Sequence, residues 1–176
     1  MTTLAVCDIQ SEYSQAFTFR AHHFTKYLNK AASKFNNIVY FYNGHDTIDG
    51  PHEYELIDWL MDNGLNENTL RYIYFYDKGY GFLRDAMDND IKDENIIQAL
   101  REMKIQKTWN SDDLSEENQN SLLSGNIIYW NESFDILAKQ KKVIFVGGGR
   151  NECLKELELG AKAVGVSYIK RLEFVY

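Results

Sequence analysis

Residues 142–157 read KVIFVGGGRNECLKEL, and the rest of the chain can be interpreted as a scaffold around this stretch. A short apolar run ends in consecutive glycines and leads into a helical pattern, which predicts a buried strand, a tight loop and a helix N-terminus. Such a loop presents free backbone N–H groups and the positive end of a helix dipole. A thiol there, at Cys153, is expected to have a lowered pKa and oxyanion donors beside it. The alternative is that the glycines only make a turn and that Cys153 is a small buried apolar residue.

Outward from this stretch, short apolar strands alternate with amphipathic helices. Continuous apolar or β-branched and aromatic runs predict strands at residues 4–9, 38–42 and 72–76. Apolar residues at steps of three and four predict a helix over residues 14–35, and alternation predicts a half-exposed strand over residues 168–176. This order is typical of an α/β three-layer sandwich, with a mostly parallel, Rossmann-like sheet and helices on both faces.

The chain length of 176 residues suits a single α/β domain, residues 1–176. An irregular insertion is expected at about residues 85–131, because much of it is polar, acidic and rich in Asn. Within it, Asp93 starts an amphipathic helix whose apolar face includes Ile96 and Leu100.

Charge and cysteine content limit the partners and the compartment. The net charge of −7, with no block of Lys or Arg, argues against nucleic acid or an anionic membrane as the main partner. No apolar run reaches transmembrane length, and the N-terminus lacks the basic and apolar regions of a leader. With only Cys7 and Cys153 as thiols, we expect a reducing, cytoplasmic compartment and small molecules or proteins as partners.

Four reactive side chains lie at or just past the predicted carboxyl ends of strands: Asp8, His45, Lys78 and Cys153. Ligands of parallel α/β sheets bind beyond these ends, so the four are candidates for one site. Taken singly, Asp8 is equally well a strand-end cap or a salt-bridge partner, and Lys78 an ordinary surface lysine.

This order of residues resembles the isochorismatase-like cysteine hydrolases, which include nicotinamidase. The resemblance rests on Asp8 after the first strand, Lys78 with an aromatic a few residues on, and Cys153 opening a late helix, six residues after Gly147. It implies that Cys153 is a nucleophile, that Asp8 is its base, and that Lys78 helps to polarise the site. Lys78 is expected to hold Asp8 ionised and to lower the thiol pKa.

The same resemblance places a cis peptide bond between Gly148 and Gly149 and makes the N–H groups of Gly149 and Cys153 the oxyanion donors. Arg150 and Glu152 depart from the family pattern because they put charges beside the nucleophile. Tyr13 and Phe82 either wall a flat substrate or belong to the core. The expected oxyanion and substrate-binding residues are Gly148, Gly149, Gln10, Tyr13, Phe82 and Arg150.

Nicotinamidases of this family hold a metal through an Asp-x-His after the second strand and a later His. Here Asn43 stands in place of the aspartate, so one carboxylate ligand has become an amide. Metal ions generally favour the charged ligand. We therefore expect no metal and no cofactor, with His45 and His52 as the remaining candidate ligands.

The resemblance implies a cysteine-dependent hydrolase of a C–N, amide-type bond in a small-molecule substrate. One alternative is a non-catalytic member of the fold that acts as a protein-interaction module, which Arg150 and Asn43 favour. A second alternative is a PIN-like or NYN-like nuclease, since Asp8 and Glu152 would also lie at strand ends. The sequence lacks the clear cluster of three or four acids that such a nuclease needs.

Two apolar surfaces predict self-association. Edge strands expose unpaired backbone groups, and few charges protect the last predicted strand after Glu173. Members of the resembled family commonly form homo-oligomers, so we expect a closed symmetric homo-oligomer. The side chains expected at its interface are Tyr168, Leu172, Phe174 and Tyr176 in that strand and Trp109, Leu122, Leu123 and Trp130 in the insertion.

Overall fold

A sheet of five parallel strands runs through the described part of the chain. A computed structural model describes residues 2–35, 37–44, 51–79, 81–122 and 126–176. The spatial order is β3-β2-β1-β4-β5, which confirms the predicted parallel α/β sheet. The strands are β1 (Thr2–Cys7), β2 (Ile38–Tyr42), β3 (Ile73–Asp77), β4 (Lys142–Gly147) and β5 (Ser167–Arg171).

Eight α-helices accompany these strands within the described ranges, together with three short 3₁₀ helices. The 3₁₀ helices span Ser11–Ala16, Ser111–Asp113 and Leu172–Phe174. The α-helices are α1 (Ala21–Ala31), α2 (Glu53–Asp62), α3 (Glu67–Leu70), α4 (Arg84–Asp88), α5 (Asp93–Gln106), α6 (Glu116–Ser121), α7 (Glu132–Ala138) and α8 (Cys153–Val164).

Helices cover both faces of the sheet, because alternate side chains of the central strands point to opposite sides. Leu4 and Val6 of β1 pack with α1 and α2 on one face. Ala5 and Cys7 of the same strand belong to the core shared with α5, α7 and α8 on the other face. The fold is therefore the three-layer sandwich that the sequence predicts.

The first predicted helix is wrong over its N-terminal part. The chain forms a 3₁₀ helix at Ser11–Ala16, and the α-helix starts only at Ala21. Phe17 has an extended backbone, and its ring stacks on Phe19 with centroids 4.8 Å apart. The ring also packs against Trp59 and Tyr176, so the apolar spacing at this position reflects an aromatic cluster formed by tertiary packing.

The segment between α4 and α7 is packed against the domain. Helix α5 begins at Asp93 as predicted, and Ile96, Leu100 and Met103 on its inner face are fully buried. Leu114 and Ile128 add to the same core. Much of residues 85–131 therefore belongs to the helical layer that contains α5, α7 and α8.

The last predicted strand is shorter than expected. Strand β5 ends at Arg171, and the chain then turns through the 3₁₀ helix at Leu172–Phe174. Phe174 is buried against aromatic rings that include Phe24 and Tyr27, so it does not lie on an exposed strand face. After this turn Tyr176 returns to the glycine loop that follows β4.

Candidate active site

The strand order reverses between β1 and β4, which are neighbours in the sheet. Strands β2 and β3 extend from β1 in one direction, while β5 lies beyond β4 in the other. A reversal of this kind leaves a crevice at the carboxyl ends of the two strands, where ligands of open α/β sheets bind. Asp8 directly follows β1, and Gly148 directly follows β4.

Asp8 is fixed at this crevice in a constrained backbone conformation. Its φ is 47°, in the left-handed region that few non-glycine residues adopt. The N–H of Asp8 donates to the carbonyl of Phe41 at 2.9 Å, and the carbonyl of Asp8 accepts from the hydroxyl of Tyr176 at 2.7 Å. Contacts from two distant parts of the chain therefore hold the residue in place.

Lys78 forms a buried ion pair with Asp8. Its Nζ lies 3.0 Å from Asp8 Oδ2, and both side chains are inaccessible to solvent. Burial lowers the pKa of Lys78, but the acidic groups around it, Asp8 first among them, together outweigh this effect, so the pKa is raised above its usual range. Lys78 is therefore an ammonium at neutral pH, and it is no ordinary surface lysine.

Cys153 opens helix α8 and is 6% exposed. Burial raises the pKa of its thiol. The charge of Asp8 and a hydrogen bond from the thiol to that carboxylate raise the pKa further. Lys78 lowers the same pKa, but by less. The expectation of a lowered thiol pKa is therefore wrong for this state: Cys153 rests as a neutral thiol beside a carboxylate.

The glycine loop allows the end of β4 to approach β1 closely. Gly147 and Gly148 have φ values of 84° and 77°, and a Cβ on Gly147 would lie 2.3 Å from the carbonyl oxygen of Cys7. Every described peptide bond is trans, so the expected cis bond between Gly148 and Gly149 is wrong. Within the described ranges, the N–H groups of Gly149 and Cys153 make no hydrogen bond to the protein and can serve as donors to a ligand.

Replacing Gly148 by alanine is expected to lower the free energy of unfolding by about 2–3 kcal/mol. The alanine would have to keep the left-handed backbone conformation of Gly148, which L-residues rarely adopt. Its Cβ would also lie 2.9 Å from Cys7 Sγ. Gly149→Ala is the matched control, because the nearest atom is the Oε2 of the exposed Glu152 side chain at 3.2 Å. It should change stability by less than about 1 kcal/mol. Chemical denaturation of both variants measures the difference, and equal losses would contradict this account of the loop.

Gln10 and Tyr13 meet at Asn43, just past the end of β2. The side chain of Gln10 accepts from the N–H of Asn43 at 3.0 Å and donates to its carbonyl at 3.2 Å. Asn43 Nδ2 donates to the hydroxyl of Tyr13 at 2.8 Å. Gln10 therefore joins the loops after β1 and β2, while half-buried Tyr13 lies at the crevice.

Phe82 lies in the core, and Arg150 is exposed at the glycine loop. Phe82 is buried and meets the ring of Phe134 edge-on with centroids 5.3 Å apart, so the structure places it in the core. Arg150 is exposed, and its N–H donates to the carbonyl of Tyr176 at 2.8 Å.

Glu152, His45 and His52 are the residues on which the nuclease and metal-binding alternatives depend. Glu152 is exposed and lies 3.5 Å from Arg84 Nη2. In the described ranges, no group of three His, Cys, Asp or Glu side chains is arranged to hold a metal ion. His45 lies outside the described residues. His52 is exposed just before α2, where its N–H donates to Glu55 Oε2 at 2.7 Å.

Sequence reasoning missed Glu156 and Tyr176. Glu156 is buried one helical turn after Cys153, where it accepts from the N–H of Leu83 at 3.0 Å, and burial raises the pKa of its carboxyl group. The sequence carries a signal for Glu156, because it is an acidic residue between the apolar residues Leu154 and Leu157 of α8. Tyr176 had no local signal, because its contacts with Asp8 and Gly148 join distant parts of the chain.

Two buried acceptors at this edge lack a partner within the described chain: Oδ1 of Asp8 and Oδ1 of Asn43. An unpaired buried acceptor is costly unless a ligand or water satisfies it. Together with the donors of Gly149 and Cys153, the site thus offers both acceptors and donors to a small polar molecule.

No protein-family model, curated protein or solved structure matches this chain. Its class is therefore defined by the fold and the site. The chain is a doubly wound α/β domain with a thiol, a carboxylate and an ammonium at the switch point, where the strand order reverses between β1 and β4. Among the described helices, none has the length and apolar composition required to cross a bilayer.

Proposed function

We propose that this protein is a cysteine-dependent hydrolase of an amide-type C–N bond in a small molecule. The observation that carries the proposal is the grouping of Cys153, Asp8 and Lys78 at the switch point, where the buried ion pair measures 3.0 Å. Covalent catalysis by a thiol needs a nucleophile, an adjacent base and donors for the oxyanion. The resemblance to isochorismatase-like hydrolases assigns the same roles to these residues.

In the proposed reaction, Asp8 takes the thiol proton as Cys153 Sγ attacks the substrate carbonyl carbon. The N–H groups of Gly149 and Cys153 stabilise the tetrahedral oxyanion. Asp8 then returns the proton to the leaving nitrogen as the C–N bond breaks, which leaves a thioester on Cys153. Water activated by Asp8 hydrolyses the thioester and restores the thiol.

Lys78 and the two unpartnered acceptors complete this mechanism. The ammonium lies 3.0 Å from Asp8 Oδ2 and supplies the counter-charge for this buried carboxylate, which acts as the base. Asp8 Oδ1 and Asn43 Oδ1 are available to accept from the N–H groups of a bound amide. Because the thiol is neutral at rest, proton transfer to Asp8 accompanies the attack.

The test is hydrolysis of a panel of small primary and secondary amides, followed by release of ammonia or amine. With a substrate of the panel, rapid acid quenching should trap an acyl group on the peptide that contains Cys153, and Cys153→Ala should abolish turnover. Mass spectrometry identifies the modified peptide. Turnover by the alanine variant, or an acyl group on Cys7 only, would contradict the mechanism.

A second candidate function is a non-catalytic interaction module. It is favoured by the low exposure and neutral resting state of Cys153. The amide panel separates the two candidates, because a module should turn over none of its members. The nuclease alternative has no such support, since Glu152 is directed to Arg84.

We also propose that the chain forms a symmetric homo-oligomer through the edge strand β5. Ile169 on β5 and Leu172 just after it are exposed apolar side chains at this edge. Of the second expected surface, Trp109 is exposed and Trp130 half-buried, whereas Leu122 is buried and Leu123 lies outside the described residues. The proposed compartment is reducing and cytoplasmic, in keeping with two free thiols.

Light scattering at micromolar concentration should give a mass at least twice the 20.6 kDa of one chain. Ile169→Lys should reduce the mass to that of a monomer, because it places a charge at the centre of the edge. Ile105→Lys is the control, since Ile105 is an exposed apolar residue on α5. A wild-type protein that is monomeric at all concentrations would contradict the proposal.

A further inference from the structure

The chain returns to the candidate active site after its edge strand. Following the 3₁₀ helix at Leu172–Phe174, the N–H of Tyr176 donates to the carbonyl of Gly148 at 3.2 Å. The N–H of Arg150 donates to the carbonyl of Tyr176 at 2.8 Å. These two bonds pair the backbone of Tyr176 with the glycine loop on both sides of Gly149.

The side chain of Tyr176 spans from this loop to the end of β1. Its hydroxyl donates to the carbonyl of Asp8 at 2.7 Å. Its ring packs against Phe17, with centroids 5.0 Å apart, and the preceding Val175 and Phe174 are buried. Tyr176 therefore spans the crevice between β1 and β4, and its ring is held in place by packing against Phe17.

The phenol of Tyr176 lies among the reactive groups of the site. Burial raises its pKa above the usual range, and the charge of Asp8 raises it further. The phenol is therefore a neutral donor at physiological pH, which suits its hydrogen bond to the Asp8 carbonyl.

We propose that Tyr176 is a specificity-determining wall and a positioning residue of this site. Its ring limits the size of molecule that reaches Cys153, and its hydroxyl holds Asp8 in the left-handed conformation that directs the carboxylate to Lys78 and the thiol. The purpose of such a wall rests on the proposed function. The test uses thiol modification and needs no substrate, so the two can fail separately.

The wall is tested with two thiol reagents of different size, iodoacetamide and fluorescein maleimide, with Cys153 and Cys7 followed separately by mass spectrometry. In the wild type, the large reagent should modify Cys153 far more slowly than the small one. Tyr176→Ala should raise the rate with iodoacetamide at pH 7 about fivefold, because the hydroxyl hydrogen bond is lost, and the rate with the large reagent by at least about a further tenfold, because the ring is lost as well. Tyr176→Phe should keep the discrimination by size.

Tyr168→Ala is the matched control, because Tyr168 lies eight residues before Tyr176 and its ring also packs against an aromatic residue. The centroids of Tyr168 and Phe145 are 5.4 Å apart. It should leave the size discrimination unchanged. Cys7 is fully buried and reports general loosening of the fold. Equal acceleration with both reagents, or parallel acceleration at both cysteines, would overturn the proposal.

The positioning role is tested by the pH dependence of Cys153 modification with iodoacetamide. Without its hydroxyl, Tyr176→Phe no longer holds the Asp8 carbonyl, so Asp8 acts less strongly on the thiol. The pKa of Cys153 should move down towards its ordinary value, with a rate at pH 7 about fivefold higher, as expected for one lost hydrogen bond. Tyr168→Phe should not move the profile. An unchanged profile in Tyr176→Phe would remove the positioning role.

Discussion

Replacing Lys78 by methionine is expected to lower the free energy of unfolding by about 3–5 kcal/mol. Both side chains of the Lys78–Asp8 pair are inaccessible to solvent, and their charged atoms lie 3.0 Å apart. Removal of the ammonium leaves the Asp8 carboxylate buried without a counter-charge, and burial of an unpaired charge is strongly unfavourable. Urea denaturation at pH 7 measures the loss.

Two further variants make this test specific. Lys155 pairs with Asp93 at 2.9 Å, but both side chains are about one-third exposed, so Lys155→Met should cost less than about 1 kcal/mol. The double variant Lys78→Met with Asp8→Asn has no buried charge at this position and should recover part of the lost stability. Equal losses for Lys78→Met and Lys155→Met would show that the ion pair is not buried as described.

Replacing Asp8 by asparagine is expected to move thiol reactivity and hydrolysis in opposite directions. Burial and the Asp8 carboxylate raise the pKa of Cys153, while Lys78 lowers it. Without the carboxylate, burial still raises the thiol pKa, but Asp8 no longer opposes the Lys78 charge, so the pKa should fall. Alkylation of Cys153 at pH 7 should then accelerate at least about tenfold, which corresponds to one pKa unit. Amide hydrolysis should fall by about 10²–10⁴-fold because the base is lost.

Asp77→Asn is the matched control, since Asp77 is an exposed carboxylate one residue before Lys78. Its oxygen accepts from the N–H groups of Gly44 and Gly79, at 2.9 Å and 3.0 Å. This variant should leave the rate of Cys153 alkylation near that of the wild type. If Asp8→Asn slowed alkylation together with hydrolysis, Asp8 would not be the group that keeps the thiol protonated.

The parts of the fold that follow from local pattern were predictable. The apolar run before Gly147 forms β4, and Cys153 begins α8, because strand and helix periods are written into adjacent residues. The carboxyl ends of parallel strands share one edge, so the convergence of Asp8 and Lys78 also follows from the alternation of elements.

The remaining features depend on tertiary contacts. Phe17 satisfies a helical spacing, yet its ring packs against Trp59 and Tyr176, which lie far away along the chain. The rise in the Cys153 pKa depends on the depth of burial, and sequence alone does not give depth. Tyr176 reaches the site only because β5 lies beside β4 and the chain turns back after it.

The pairing of β1 with β4 also constrains how the protein is made. Thr2 pairs with Lys142, so the edge of the first strand that faces β4 has no partner until most of the domain has been synthesised. Contacts between residues so far apart in sequence slow folding, because a long loop must close before they form. During synthesis the apolar β1 therefore has one edge without its native neighbour, which makes the nascent chain a candidate for chaperone binding.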